Sequence, residues 1–191
     1  MTVPCPGEFG ELGRWGTERP LDAAVKTHVH GALDIVAPIG TPIVAPEDGF
    51  LYAFALTLPE GRPRRFERVL PAWDLPFKGH SYDLYGGILA LRCSTARTHL
   101  FAHLHMNQLI KHCGMFRDAW TYVEEEAEVR WPSFLWHTFG NGRFVKEGEQ
   151  IGVVGNAGYS KGPHLHWEIH NGWTDTPFGQ RPDPEKLLKE E

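Results

Sequence analysis

DIVAPIGTPIVAPEDGFLY, the stretch from Asp34 to Tyr52, breaks into short runs of β-branched and apolar residues cut by Pro38-Ile39-Gly40 and Glu47-Asp48-Gly49. Branched side chains suit a pleated strand, and Pro and Gly clusters stop one. The stretch therefore predicts strand, turn, strand, turn, strand. The same grammar returns at Gly86–Cys93 (GGILALRC), at Thr98–His103, and in FVKEGEQIGVVGNAGYSKGPHLHWEIHNGW from Phe144 to Trp173, where glycine turns again separate apolar runs. These segments predict a mainly all-β chain.

Between them lie two stretches of different character. Residues 58–83 carry four prolines and no period, and read as an insertion in a long hairpin. Residues 106–142 are rich in aromatics, Trp120, Trp131 and Trp136 among them, and have room for one or two short helices. The first twenty residues read as an ordered but irregular lead-in, and RPDPEKLLKEE as a short C-terminal tail. No repeat divides the chain, so residues 1–191 are expected to form one domain with insertions at about 58–83 and 106–142.

Composition narrows the function classes. Apolar residues at 41% and charged residues at 23% belong to an ordinary globular protein that can bury its own core. A net charge of −5 without a long basic run excludes the electrostatic footprint of a nucleic-acid binder. The basic cluster from Arg62 to Arg68 lies in a proline-rich stretch and reads as a solvated loop. No apolar run approaches the roughly 20 residues of a membrane-spanning helix, and MTVPCPGEFGELGRWG lacks the charged-then-apolar order of a signal peptide. Cys5, Cys93 and Cys113 are odd in number and widely spaced, which fits reduced structural cysteines and neither a disulfide framework nor a thiolate zinc site.

Histidine is the outlier, with 11 residues, six of them in His-x-His pairs at 28/30, 103/105 and 164/166. Strand residues at i and i+2 share a face about 6–7 Å apart, so His164 and His166 can serve one pocket. Alone, that pair fits two exposed strand histidines as well as a metal site. His30 and Asp34 stand four residues apart; in a straight strand they would be about 13 Å apart, so both reach one ion only if the chain turns at Gly31. Imidazole nitrogen and carboxylate oxygen are both ordinary zinc ligands. With His166 they make three and leave a fourth position for water, the coordination of a catalytic site. His103 ends an apolar strand and alone fits a partly buried, hydrogen-bonded histidine. His28 and His105 stand two residues from assigned positions and remain alternatives to them. His80, His99, His112, His137 and His170 have no motif around them and are expected at the surface or in hydrogen bonds; Tyr159 and Trp167, which flank the last motif, fit either a substrate groove or the core.

HGALDIVAPIGTPIVAPEDG, THLFAHLHMN and VKEGEQIGVVGNAGYSKGPHLHWEIH together resemble, in order, the signatures of the lysostaphin/LytM family of zinc metalloendopeptidases, with Phe101 where the second motif carries tyrosine. The resemblance implies an antiparallel β-sheet sandwich or open barrel with the site in a groove across it. It implies one catalytic zinc on His30, Asp34 and His166, with His103 and His164 as catalytic histidines. It also implies a peptide or peptidoglycan substrate, cleaved at cross-bridges or stem peptides in an extracytoplasmic setting. Zinc in such a site lowers the pKa of a water to roughly 7, and the chain offers no HExxH glutamate, so the histidines are expected to move the protons. Two other readings remain: the same zinc chemistry on a free peptide or small amide metabolite inside the cell, and a metal-free binding or regulatory module.

Overall fold

The computed structural model describes residues 1–21, 26–55, 87–104, 143–156, 160–172 and 178–190. Eleven strands appear among them: β1 (Glu8–Phe9), β2 (Glu18–Leu21), β3 (Lys26–Val29), β4 (Leu33–Val36), β5 (Pro42–Val44), β6 (Gly49–Ala55), β7 (Gly87–Cys93), β8 (Arg97–Leu104), β9 (Arg143–Val145), β10 (Gln150–Val153) and β11 (His164–Asn171). Seven form an antiparallel sheet in the order β1-β4-β11-β8-β7-β6-β9, while β5 pairs with β10 and β2 with β3. The expected mainly all-β architecture is what the chain adopts. The three strands read in residues 34–52 are β4, β5 and β6. The insertions expected at 58–83 and 106–142, and the short helices expected in the second, lie outside the described residues.

Alternation along β4 and β11 gives the sheet an apolar face and sets the ionisable side chains of those two strands on the other. In register, Trp167 stands opposite Phe101 and Leu33, and Leu165 opposite Ile35. All five side chains are fully buried and join Ile43, Ile151 and Val154 in one apolar cluster. The β5–β10 ribbon thus closes one face of the sheet, and each of these side chains contributes about 1.5–3 kcal/mol on leaving water. Cys5 and Cys93 are free, buried thiols, whose pKa burial pushes up to about 12, as expected of reduced structural cysteines. Trp167 proves to be a core residue. Gly49 opens β6 where the chain turns closely past β7: a Cβ there would stand 2.6 Å from the Arg92 carbonyl oxygen, so the Asp-Gly turn needs glycine for space.

The lead-in is more regular than the sequence suggested. It holds β1, a 3-10 turn at Glu11–Gly13 and the start of the β2–β3 hairpin. Gly13 packs so tightly on β4 that a Cβ would lie 3.0 Å from both Cβ and O of Asp34. No helix among the described residues is long and apolar enough to cross a membrane.

Candidate metal centre and active site

The opposite face of β11 carries His164, His166, Glu168 and His170, every second residue of HLHWEIHN. Asp34 reaches the same face because β4 pairs with β11 in a register that sets His166 directly across from it. His30 precedes β4 and is held from both sides of its backbone: its N–H donates to Thr17 O at 2.8 Å, and its carbonyl accepts from Gly16 N at 2.8 Å. The residues between His30 and Leu33 turn the chain, so His30 Nε2 stands 3.2 Å from Asp34 Oδ1 rather than a strand's length away.

His103 arrives by a different device. Leu89 pairs with Phe101 and Gly87 with Leu104, so Ile88 alone opposes both Ala102 and His103. The bulge puts two successive residues on one face. Strict alternation from Phe101 would send His103 into the core; instead its ring centroid lies 4.7 Å from that of His164 and 5.6 Å from that of His166. The backbone of His103 adopts φ 60°, a left-handed conformation that a residue with a Cβ reaches only at a cost.

His30 Nε2, Asp34 Oδ1 and His166 Nδ1 form a triangle with sides of 3.2, 2.9 and 3.4 Å. Donors bound at about 2.0–2.1 Å to a tetrahedral ion sit about 3.3–3.4 Å apart, so the three atoms fit zinc in type, two sides fit it in spacing, and the Asp34–His166 side, at hydrogen-bond length, would open slightly around an ion. Burial and partners set the charge of each of the three side chains. Burial alone would raise the Asp34 pKa, but hydrogen bonds from His166 and His30 outweigh it and hold the carboxyl far below the usual range. Burial lowers that of His30 and keeps it a neutral ligand. For His166 burial works against the charge, yet the hydrogen bonds to Asp34 and Glu168 prevail and raise its pKa to about 9.

Tautomers follow from acceptors that can only accept. His164 Nδ1 lies 2.8 Å from Gly162 O, so Nδ1 carries the proton, and Nε2, 3.8 Å from Asp34 Oδ2, keeps its lone pair. Ser160 Oγ donates to the same carbonyl at 2.8 Å, which gives the Ser-x-Gly-Pro-His run its purpose: a turn that aims His164. Behind His166, Nε2 donates to Glu168 Oε1 at 2.9 Å; the other oxygen of Glu168 lies 2.6 Å from His170 Nε2 and 3.2 Å from Arg181 Nη1. Glu168 was not singled out from sequence, although the continued alternation His-x-His-x-Glu-x-His announces it. Arg19, whose Nη2 donates to Asp34 Oδ2 at 2.5 Å, had no spacing signal at all.

The five residues named from sequence thus come together on one face. The side chain of His28 and all of His80, His105, His112, His137 and Tyr159 lie outside the described residues. His99 and His170 are fully buried rather than superficial, and both are hydrogen-bonded. Glu47, Cys93 and His99 form another cluster of ligand-type side chains. The Trp167 indole, a donor only, points Nε1 at His99 Nδ1 at 3.1 Å, which leaves the His99 proton on Nε2, facing Glu47 Oε1 at 3.5 Å. Arg97 Nη2 lies 2.5 Å from Glu47 Oε1 and Thr95 Oγ1 donates to Glu47 Oε2 at 2.7 Å, so the cluster centres on a partly buried ion pair.

The sequence pattern of peptidase family M23 matches residues 136–179, which include β9, β10 and β11. Over 38 residues, 19% of this chain, the sequence is 54% identical to a Haemophilus influenzae protein described as an uncharacterized metalloprotease, and the match spans 8% of that protein's length. A zinc containing peptidase from Vibrio cholerae shares the fold with a TM-score of 0.51 at 16% identity, over 95% of this chain and 40% of its own. LytU does so with a TM-score of 0.50 at 20% identity, over 97% of this chain and 86% of its own. The fold is thus shared with these two structures. Its closing strands carry the signature of peptidase family M23, and the resemblance read from the three sequence motifs is borne out.

Proposed function

We propose that this chain is a zinc-dependent endopeptidase acting on amide bonds in peptidoglycan cross-bridges or stem peptides, outside the cytoplasm, with residues 1–191 as one catalytic domain. The observation that carries the reading is the donor triangle of His30 Nε2, Asp34 Oδ1 and His166 Nδ1 beside two further imidazoles. These three residues would hold zinc, which supplies a Lewis acid that polarises the scissile carbonyl and acidifies a water. His164, whose Nε2 keeps its lone pair, is assigned to take a proton from the attacking water. His103, on its bulge beside His164, is assigned to steady the developing oxyanion and pass a proton to the leaving amine. Glu168 keeps the His166 ring turned so that Nδ1 faces the ligand triangle.

The test is mass spectrometry of purified peptidoglycans and a panel of short peptides after incubation with zinc-loaded protein, with a chelated sample and His103→Ala as controls. New amine ends in wall fragments, lost with chelator and with His103→Ala, are the expected result and identify the bond. Intact wall material with cleaved free peptides would move the substrate to the intracellular alternative. A protein that takes up no zinc and cleaves nothing would be the metal-free module instead.

A further inference from the structure

The N-terminal segment wraps the proposed metal site, and one side chain from it reaches a ligand directly. Arg19, on β2, is anchored by its Nε, which donates to Leu12 O at 2.5 Å, and its Nη2 donates to Asp34 Oδ2 at 2.5 Å. The same Nη2 lies 3.0 Å from His30 Nδ1, which is also 3.3 Å from Arg14 O. The segment's backbone brackets His30 through Gly16 and Thr17, and Gly13 presses on Asp34. Contacts from Gly13, Arg14, Gly16, Thr17 and Arg19 therefore converge on two of the three proposed ligands.

We propose that Arg19 is a positioning residue of the metal centre, fixing the Asp34 carboxylate by its outer oxygen so that Oδ1 stays in the triangle with His30 and His166. The inference rests on the zinc reading above. A carboxylate held by one oxygen only is free to rotate about its last bond; a guanidinium on the second oxygen removes that freedom, and the loss of such supporting partners typically costs about 10–100-fold in metal affinity. The irregular lead-in is by this account the outer wall of the site.

The experiment is zinc affinity by competition with a chromophoric chelator for the wild type, Arg19→Ala and Arg19→Lys, with thermal unfolding of the zinc-free forms alongside. Arg19→Ala is expected to bind zinc about 10–100-fold more weakly, and Arg19→Lys, which keeps one donor, to recover part of the loss. A purely structural arginine would lower the melting temperature and leave the affinity of the folded protein untouched, which would overturn the proposal. Tighter zinc binding in Arg19→Ala would also overturn it, since Arg19 would then be competing with the metal. If Arg19→Ala does not fold, Arg19→Lys decides alone: affinity equal to or tighter than wild type rejects the role. Failure of the wild type to bind one zinc would remove the metal reading itself, and this inference with it.

Discussion

Glu168 Oε1 lies 2.9 Å from His166 Nε2, and this one contact determines which nitrogen of His166 faces Asp34. The two residues are neighbours on the same face of β11, so the orientation of a proposed ligand is set within a single strand. Glu168→Gln replaces the carboxylate with an amide that can present either a donor or an acceptor. The expected outcome is zinc binding weakened about 10-fold or more, with the sheet retained, read by chelator competition and far-UV circular dichroism. Unchanged affinity would mean that the strand backbone alone orients His166.

Asp34 and His103 separate metal binding from turnover. Asp34→Ala removes one corner of the donor triangle and is expected to abolish stoichiometric zinc. His103→Ala should retain zinc and lose about 10²–10⁴-fold in turnover, the usual scale of a lost proton-transfer group. Metal analysis together with cleavage rates on the best substrate checks both. Equal zinc content in Asp34→Ala and wild type would remove Asp34 from the ligand set.

The strain at His103 has a thermodynamic signature of its own. His103→Gly and His103→Ala both delete the imidazole, but only glycine accepts φ 60° without a Cβ penalty. The glycine variant is expected to be more stable than the alanine variant by about 1 kcal/mol in urea unfolding, the reverse of the order usual within a strand. Alanine more stable than glycine would show that the bulge carries no such strain.

Acid sensitivity should report on the second buried cluster. Burial opposes the charge of Glu47, but hydrogen bonds from His99 and Thr95 and the positive charge of Arg97 outweigh it and bring its pKa down to about 2. A carboxyl whose pKa is depressed in the folded state contributes stability that is fully present above its unfolded value near 4.3 and is lost as pH falls toward about 2. That contribution is on the order of 2 kcal/mol. Glu47→Gln should therefore be less stable at neutral pH and show a flatter loss between about pH 5 and 2, measured by melting temperature against pH. Parallel profiles for the two proteins would rule Glu47 out as the source of the acid limb.

What the sequence determined by itself was everything carried by local periodicity and by residue chemistry at short range. The alternation in residues 34–52 and 164–171 yields strands because one face must leave water, and Pro and Gly end them for steric reasons that need no partner. His-x-His on a strand commits His164 and His166 to one face, and the same rule continued two residues further would have included Glu168. What only tertiary structure decided was distance across the sheet. The register of β4 against β11 brings Asp34 beside His166, the turn after His30 closes the gap that a straight strand would leave, and the one-residue bulge against Ile88 turns His103 from the core to the site. Arg19 depends on the docking of a distant hairpin. None of these is encoded in a spacing, because register, bulge and docking are settled by which apolar side chains pack together across the sheet, a competition among residues far apart in the chain.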